Sequence, residues 1–413
     1  MARYDGEPLN ILHTIGLKIL YPVVRVSLHF NGLLDRTRFE GALDAVSTVV
    51  PELLCRYDLA TNQWVQVTDQ VSDLILDNVS AIDEHAAHWD LMTEPQLRVY
   101  WNQQNGNTVL TLYISHILTD GAGSKQLLYL LAQAYKNGSE ALSGIQNLQD
   151  VSWLEQLIKE HPQNEDWQTD HPAKPLLLPK LDASGPVEYH VGRVALSALE
   201  TKQLIQATHA AGVTVNDVVM GSFGRIMQQF SGTPALSLAC PTDMRQFTQF
   251  PKHTTQIANM TSRYNFSFET DVDTPLLDLI QQVHQEMAVR KEQRQCLDSV
   301  ASLLSQYHSQ PLAQLQQTAE DHYHVREIAY TNFGIIDAKR LQFGDVSLDD
   351  LVMTGGFRRA PMYQIAAGTF DGQLSLAFNM QGTATEKNFG MALARDVANA
   401  IRYFTAATLA AVK

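Results

Sequence analysis

Residues 113–123 read YISHILTDGAG, and three of them have side chains or backbone freedom that could serve chemistry together. A strand-like run ends at Ser115, His116 follows, and Asp120 and Gly121 come next in the turn. Histidine titrates near neutrality, so a fixed imidazole can take a proton from a hydroxyl or amine and give it back. A turn at the end of a strand supplies that fixed orientation and puts the ring at the rim of a sheet, where a tunnel can reach it. Asp120 either orients the imidazole directly, as in a triad, or points away and holds the turn through an arginine. Gly121 lets the chain approach another backbone closely. The same residues also fit a plainer account, in which a buried histidine sits beside a turn whose Asp and Gly serve local geometry alone.

Other motifs carry less. His322 and His324 of DHYH share a face if the segment is a strand, but two histidines without a third ligand do not make a metal site, and no metal is assigned. TDGAGSK lacks the spacing of a phosphate loop, and no G-x-S-x-G elbow is present.

The elements around His116 are readable from pattern. LDRTRFEGALDAVSTVV predicts a helix capped by Asp35, with Phe39, Ala42, Leu43, Val46 and Val50 on one face. Two strand-like runs flank Asn105-Gly106, a hairpin signal that delivers the second strand to His116. A helix over SKQLLYLLAQAY follows. Later, Ser197 and Glu200 form a capping-box pattern ahead of TKQLIQATHAAG, and VTVNDVVMGSFGRIMQQF predicts a buried helix. A second hairpin surrounds Asp371-Gly372 and leads to a long helix over MALARDVANAIRYFTAATLAAV. Between Pro162 and Pro186 lie five of the fifteen prolines, with no helical or alternating period. The expected organisation is a first domain over 1–160, a crossing linker over 161–190 and a second domain over 191–413. The halves look like diverged copies of one α/β unit, with QGTATEK in the second where the first has HILTDG, so a chemical His116 implies a single site.

Composition bounds the partners. The 413 residues are 45% hydrophobic and 18% charged, which is ordinary for a globular chain. A net charge of −14 argues against a nucleic-acid partner, which needs a basic footprint. Cys55, Cys240 and Cys296 are widely separated, so a reducing cytoplasm is the expected compartment. The N-terminal residues lack a signal-peptide layout, because Asn10, His13 and Lys18 interrupt their apolar run, and no membrane span is expected.

HxxxDG at 116–121 resembles the signature of the coenzyme-A-dependent acyltransferase superfamily. That group includes chloramphenicol acetyltransferases, plant and polyketide-associated acyltransferases, and condensation domains of peptide synthetases. Further segments carry the likeness: LDRTRFEGALDAVSTVVPELLCRY, VTVNDVVMGSFGRIM, CPTDMR (240–245), IANMTS (257–262) and YTNFGIID (330–337). Condensation domains usually carry two adjacent histidines; here Ser115 takes the first place, which favours a freestanding acyltransferase. The resemblance implies two chloramphenicol-acetyltransferase-like α/β domains set as a pseudo-symmetric V around a tunnel. It implies His116 as general base, acting on an alcohol or amine acceptor and an acyl thioester of coenzyme A or of a carrier protein's phosphopantetheine. It gives the motif aspartate a structural pairing with an arginine, and Arg245, at the end of the TDMR strand, is the candidate. Gly121 belongs to the same turn. Ser115 and Asn332 are candidate substrate contacts, as are Arg358 and Arg359 of GGFRRAP, which would meet coenzyme A phosphates or an acidic carrier protein. The oxyanion donors, acyl chain length and acceptor stay unassigned. The alternatives are condensation between carrier-bound substrates and a non-catalytic binding module of the same fold.

Overall fold

The computed structural model describes residues 2–17, 19–161, 172–323 and 325–411. His324 of DHYH, the side chain of His322, and the part of the Pro-rich crossing at 162–171 lie outside the described residues.

The first half supplies strand β1 (Val23–Asn31), helix α1 (Arg36–Val49), the hairpin strands β2 (Leu97–Gln104) and β3 (Asn107–Ser115), and helix α2 (Gly121–Asn137). The second half supplies β4 (Glu188–Ala195), α3 (Ala198–Ala211), α4 (Val215–Ser231), β5 (Ala235–Asp243) and β6 (Thr261–Glu269). It continues with α5 (Leu276–Glu292), β7 (Ile328–Ile336), β8 (Ser347–Thr354), β9 (Tyr363–Phe370), β10 (Gln373–Gly382) and α6 (Ala384–Ala411).

Local chemistry explains most boundaries. Asp35 caps α1 by accepting from Arg38 N, and Phe39, Ala42, Leu43 and Val46 are buried. The Ser197–Glu200 capping box opens α3. Both hairpins turn on two residues with positive φ, Asn105 (52°) with Gly106 (80°) and Asp371 (44°) with Gly372 (74°). That is the backbone twist tight hairpins favour. Helix α2 starts at Gly121, three residues before the apolar pattern shows it, because Asp120 is its cap.

The first sheet runs β8–β1–β3–β2 and ends on the short strand Ile75–Asp77, with α1 and α2 packed together on one face. In the second half, β7, β9 and β10 are neighbours, and β10 also pairs with β4 and with the two-residue strand Arg358–Arg359. Strands β5 and β6 form a separate hairpin whose first strand packs beside β7.

The halves exchange elements. Strand β8 comes from the second half but completes the first sheet, antiparallel to β1 from Ser347↔Asn31 to Thr354↔Arg25. In return, Leu9, Ile11 and Leu12 of the helix Pro8–Leu12, with Val151, Leu154 and Ile158, enter the second core. The division into 1–160 and 191–413 thus follows the order of the chain rather than the bodies. Nothing local in SLDDLVMT marks it for a distant sheet, since pairing partners are chosen by tertiary packing. A cavity of about 500 Å³ lies between the halves and is lined from both.

Candidate active site

His116 follows β3 at the point where Ser115 pairs with Val23. Its backbone N–H donates to the Pro22 carbonyl at 2.8 Å, and its own carbonyl accepts from Asn259 Nδ2 at 2.5 Å. The same amide nitrogen lies 3.3 Å from His116 Nδ1. The turn is therefore tied to both halves. The His116 and Thr119 carbonyls face the ring as acceptors, and the half-buried ring lines the cavity. Burial lowers the pKa of the imidazole below 6.5, against the opposing pull of the Asp120 charge and of the His116 and Thr119 carbonyls.

Asp120 points away from the ring. Its Oδ1 accepts from Gly123 N at 2.8 Å, and its Oδ2 accepts from Arg245 Nη1 at 2.8 Å and from Met260 N at 2.7 Å. Burial would raise this carboxyl, but the Arg245 charge and these hydrogen bonds outweigh it and hold the pKa below the ordinary 3.8. Arg245 also donates to Asp243, to the Gln256 carbonyl at 2.9 Å and to the Ala258 carbonyl at 2.8 Å. Of the two roles open to Asp120, the geometry is that of an arginine-paired cap; it reaches His116 through its field and not through a hydrogen bond.

The close backbone approach is made by Gly123 rather than Gly121. A Cβ at Gly123 would collide with Thr119 Oγ1 and stand 2.9 Å from the Ala258 carbonyl oxygen. A Cβ at Gly121 would meet the Phe333 ring at 2.7 Å, so this glycine admits β7 against the start of α2.

The remaining candidates separate. Ser115 is fully buried, its hydroxyl lies under the turn at 3.4 Å from Leu118 N, and it does not line the cavity. A serine there faces inward because β3 alternates and His116 takes the outward place. Asn332 lines the cavity, donates to Asn216 Oδ1 at 2.9 Å and accepts from Gly334 N at 2.7 Å. Arg358 and Arg359 face opposite ways. They form a strand, whose alternation sends Arg358 into the cavity at 4% exposure and Arg359 to the surface.

Several cavity residues had no mark in the sequence. His13 stacks on His116 with ring centroids 4.5 Å apart and planes 17° apart. Burial, then the His116 and Arg263 charges, push its pKa well below 6.5. Its only signal was a polar interruption in an apolar run. Asn259 lay inside the IANMTS likeness without being singled out. Lys125 donates to the Phe333 carbonyl at 2.5 Å and lines the cavity from α2.

Residues 185–379 match the family described as phthiocerol/phthiodiolone dimycocerosyl transferase C-terminus. Gramicidin S synthase 2 from Brevibacillus brevis is 23% identical over 250 residues, 56% of this chain, and the match spans 6% of that relative's length. Polyketide synthase associated protein 5 from Mycobacterium tuberculosis superposes with a TM-score of 0.67 at 16% identity, covering 98% of this chain and 97% of that one. A trichothecene 15-O-acetyltransferase from Fusarium sporotrichioides gives 0.69 at 10% identity over 97% and 95%. The first condensation domain of the CDA synthetase gives 0.67 at 14% identity over 97% and 96%. The match to a transferase family thus lies in the second half, and the chain as a whole shares its fold with these acyltransferase and condensation-domain structures.

Proposed function

We propose that this protein moves an acyl group from a thioester to an alcohol or amine, with His116 as the general base. The observation that carries the reading is the placement of the ring: the backbone carbonyls of His116 and Thr119 are there to take the N–H of one ring nitrogen, Nδ1 in this reading, which leaves Nε2 the lone pair, and the ring lines a cavity between two halves on which two substrates can converge. The acceptor O–H or N–H gives its proton to Nε2 as the oxygen or nitrogen attacks the thioester carbon. The tetrahedral adduct then collapses, the C–S bond breaks, and Nε2–H returns the proton to the departing sulfur. No acyl-enzyme is needed. Coenzyme A is the proposed thiol, entering as a cosubstrate. The three free cysteines are buried, which suits the reducing cytoplasm proposed as its compartment. No helix among the described residues is long and apolar enough to cross a membrane.

A thiol-release assay tests the reading. Short acyl-coenzyme A donors should release thiol faster when alcohols or amines are added. Release only from an acylated carrier protein would move the donor to the carrier class, which the gramicidin synthase and condensation-domain likenesses favour. Silence with every donor would leave a binding module. The pH dependence adds an independent check. A base must be neutral to act, and burial lowers the His116 pKa, so the neutral form persists to lower pH than in a free imidazole. The acid limb of kcat/KM should have its midpoint below 6.5; a midpoint above it contradicts the assignment.

A further inference from the structure

Two imidazoles share the site, and the acyl-transfer reading uses one of them. His13 and His116 both line the cavity, with ring centroids 4.5 Å apart and planes 17° apart. That separation falls in the range of favourable aromatic stacking. Tyr323 in turn meets His13 edge-on at 6.3 Å.

The second ring is anchored to the same turn as the base. His13 closes the helix Pro8–Leu12, whose Leu9, Ile11 and Leu12 are buried in the second core. Asn10 of that helix is 2% exposed; its Nδ2 donates to the Ile117 carbonyl at 2.7 Å, and its Oδ1 accepts from Glu7 N at 2.6 Å. Ile117 follows His116 directly, so one buried hydrogen bond fixes the carriers of the two rings relative to each other. Nε2 of His13 is enclosed and has no hydrogen-bond partner among the described residues. What His13 offers the base is therefore the face of its ring and not a hydrogen bond.

In the proposed transfer, the His116 ring is positively charged from the attack on the thioester until the sulfur takes the proton. The face of an aromatic ring is the negative part of its quadrupole and attracts a cation held over it. The facing ring must itself stay neutral, because a like charge beside it disfavours the protonated base. Burial first, then the His116 and Arg263 charges, disfavour protonation of His13.

We infer that His13 is a positioning residue for the base: its ring fixes the plane of the His116 imidazole and faces the charge that this ring carries during transfer. This rests on the acyl-transfer reading and adds to it a residue from outside the HILTDG turn.

The test compares two apolar substitutions. His13→Phe keeps an aromatic face, and His13→Leu fills the space without one. In the thiol-release assay, His13→Leu should lower kcat on the order of 10-fold with KM nearly unchanged, the scale of a desolvated cation over a ring. His13→Phe should stay close to the wild type. Equal rates in the two variants, or a slower Phe variant, overturn the inference and leave acyl transfer intact. An NMR titration of the histidine ring protons reads the same contact without turnover. His116 should take its proton at a higher pH than His13 in the wild type. It should also hold that proton on the order of 10-fold more tightly in His13→Phe than in His13→Leu. Protonation of His13 before His116, or equal proton affinity in the two variants, overturns the inference. If no donor releases thiol, acyl transfer fails on its own, and the titration decides the role of the stack. If either variant does not fold, the order of protonation in the wild type decides it.

Discussion

Replacing His116 by alanine lowers turnover by roughly 10²–10⁴-fold, the usual worth of a positioned general base, while the protein stays folded. The ring makes one close aromatic contact, with His13, and its backbone contacts to Pro22 and Asn259 do not depend on the side chain. The loss should therefore appear in kcat with an unchanged unfolding midpoint. His116→Gln tests the same point without opening a void. A purified alanine variant that retains near-normal turnover in the thiol-release assay rules out His116 as the base.

Breaking the Asp120–Arg245 pair has a different signature. Arg245→Ala strands a carboxylate that is 3% exposed and removes the donors to the Gln256 and Ala258 carbonyls. Removing one partner of a buried pair costs about 3–5 kcal/mol. Asp120→Ala should cost a similar amount, because it also takes the cap from α2. The variants in combination should cost less than their sum, with a coupling of roughly 0.5–3 kcal/mol. Strict additivity in chemical denaturation would show that the two do not act on each other. The pH dependence has a definite sign. The folded pKa of Asp120 is depressed, so its contribution is complete above the ordinary carboxyl pKa of 3.8 and is lost as pH falls through the folded value. The alanine variants should lose part of this acid dependence.

The site was legible where its residues are neighbours in sequence. HILTDG shows a base, a cap and a turn within six residues, and the hairpin before it shows how the base reaches a sheet rim. Arg245 was approachable only because it closes a recognisable strand segment. That Arg263, Arg326 and Arg358 line one cavity was not legible. Arg263 lies on β6, Arg326 lies just before β7, and Arg358 lies in a two-residue strand, so no spacing along the chain records their meeting. Arg358 and Arg359 show the limit most clearly: as adjacent letters they look alike, but strand alternation makes one a cavity residue and the other a surface residue. Ser115 was misplaced for the same reason, with its hydroxyl on the inner side of the strand that presents His116. Strand β8 escaped because pairing with β1 is set by a distant surface and not by its own composition.

That strand has a consequence for the protein's birth. Arg25 must wait for Thr354 before the first sheet is closed. At a synthesis rate of roughly 5–20 residues per second, the wait is on the order of tens of seconds. Throughout it, the outer edge of β1 lacks its native neighbour, and an open strand edge is a template for pairing with other chains. Polar Arg25, Ser27, His29 and Asn31 alternate with apolar residues along β1, which limits how well a second nascent chain can add to it. Expression of the first half alone would make that interval permanent, so the half-molecule should self-associate through the edge that β8 normally covers.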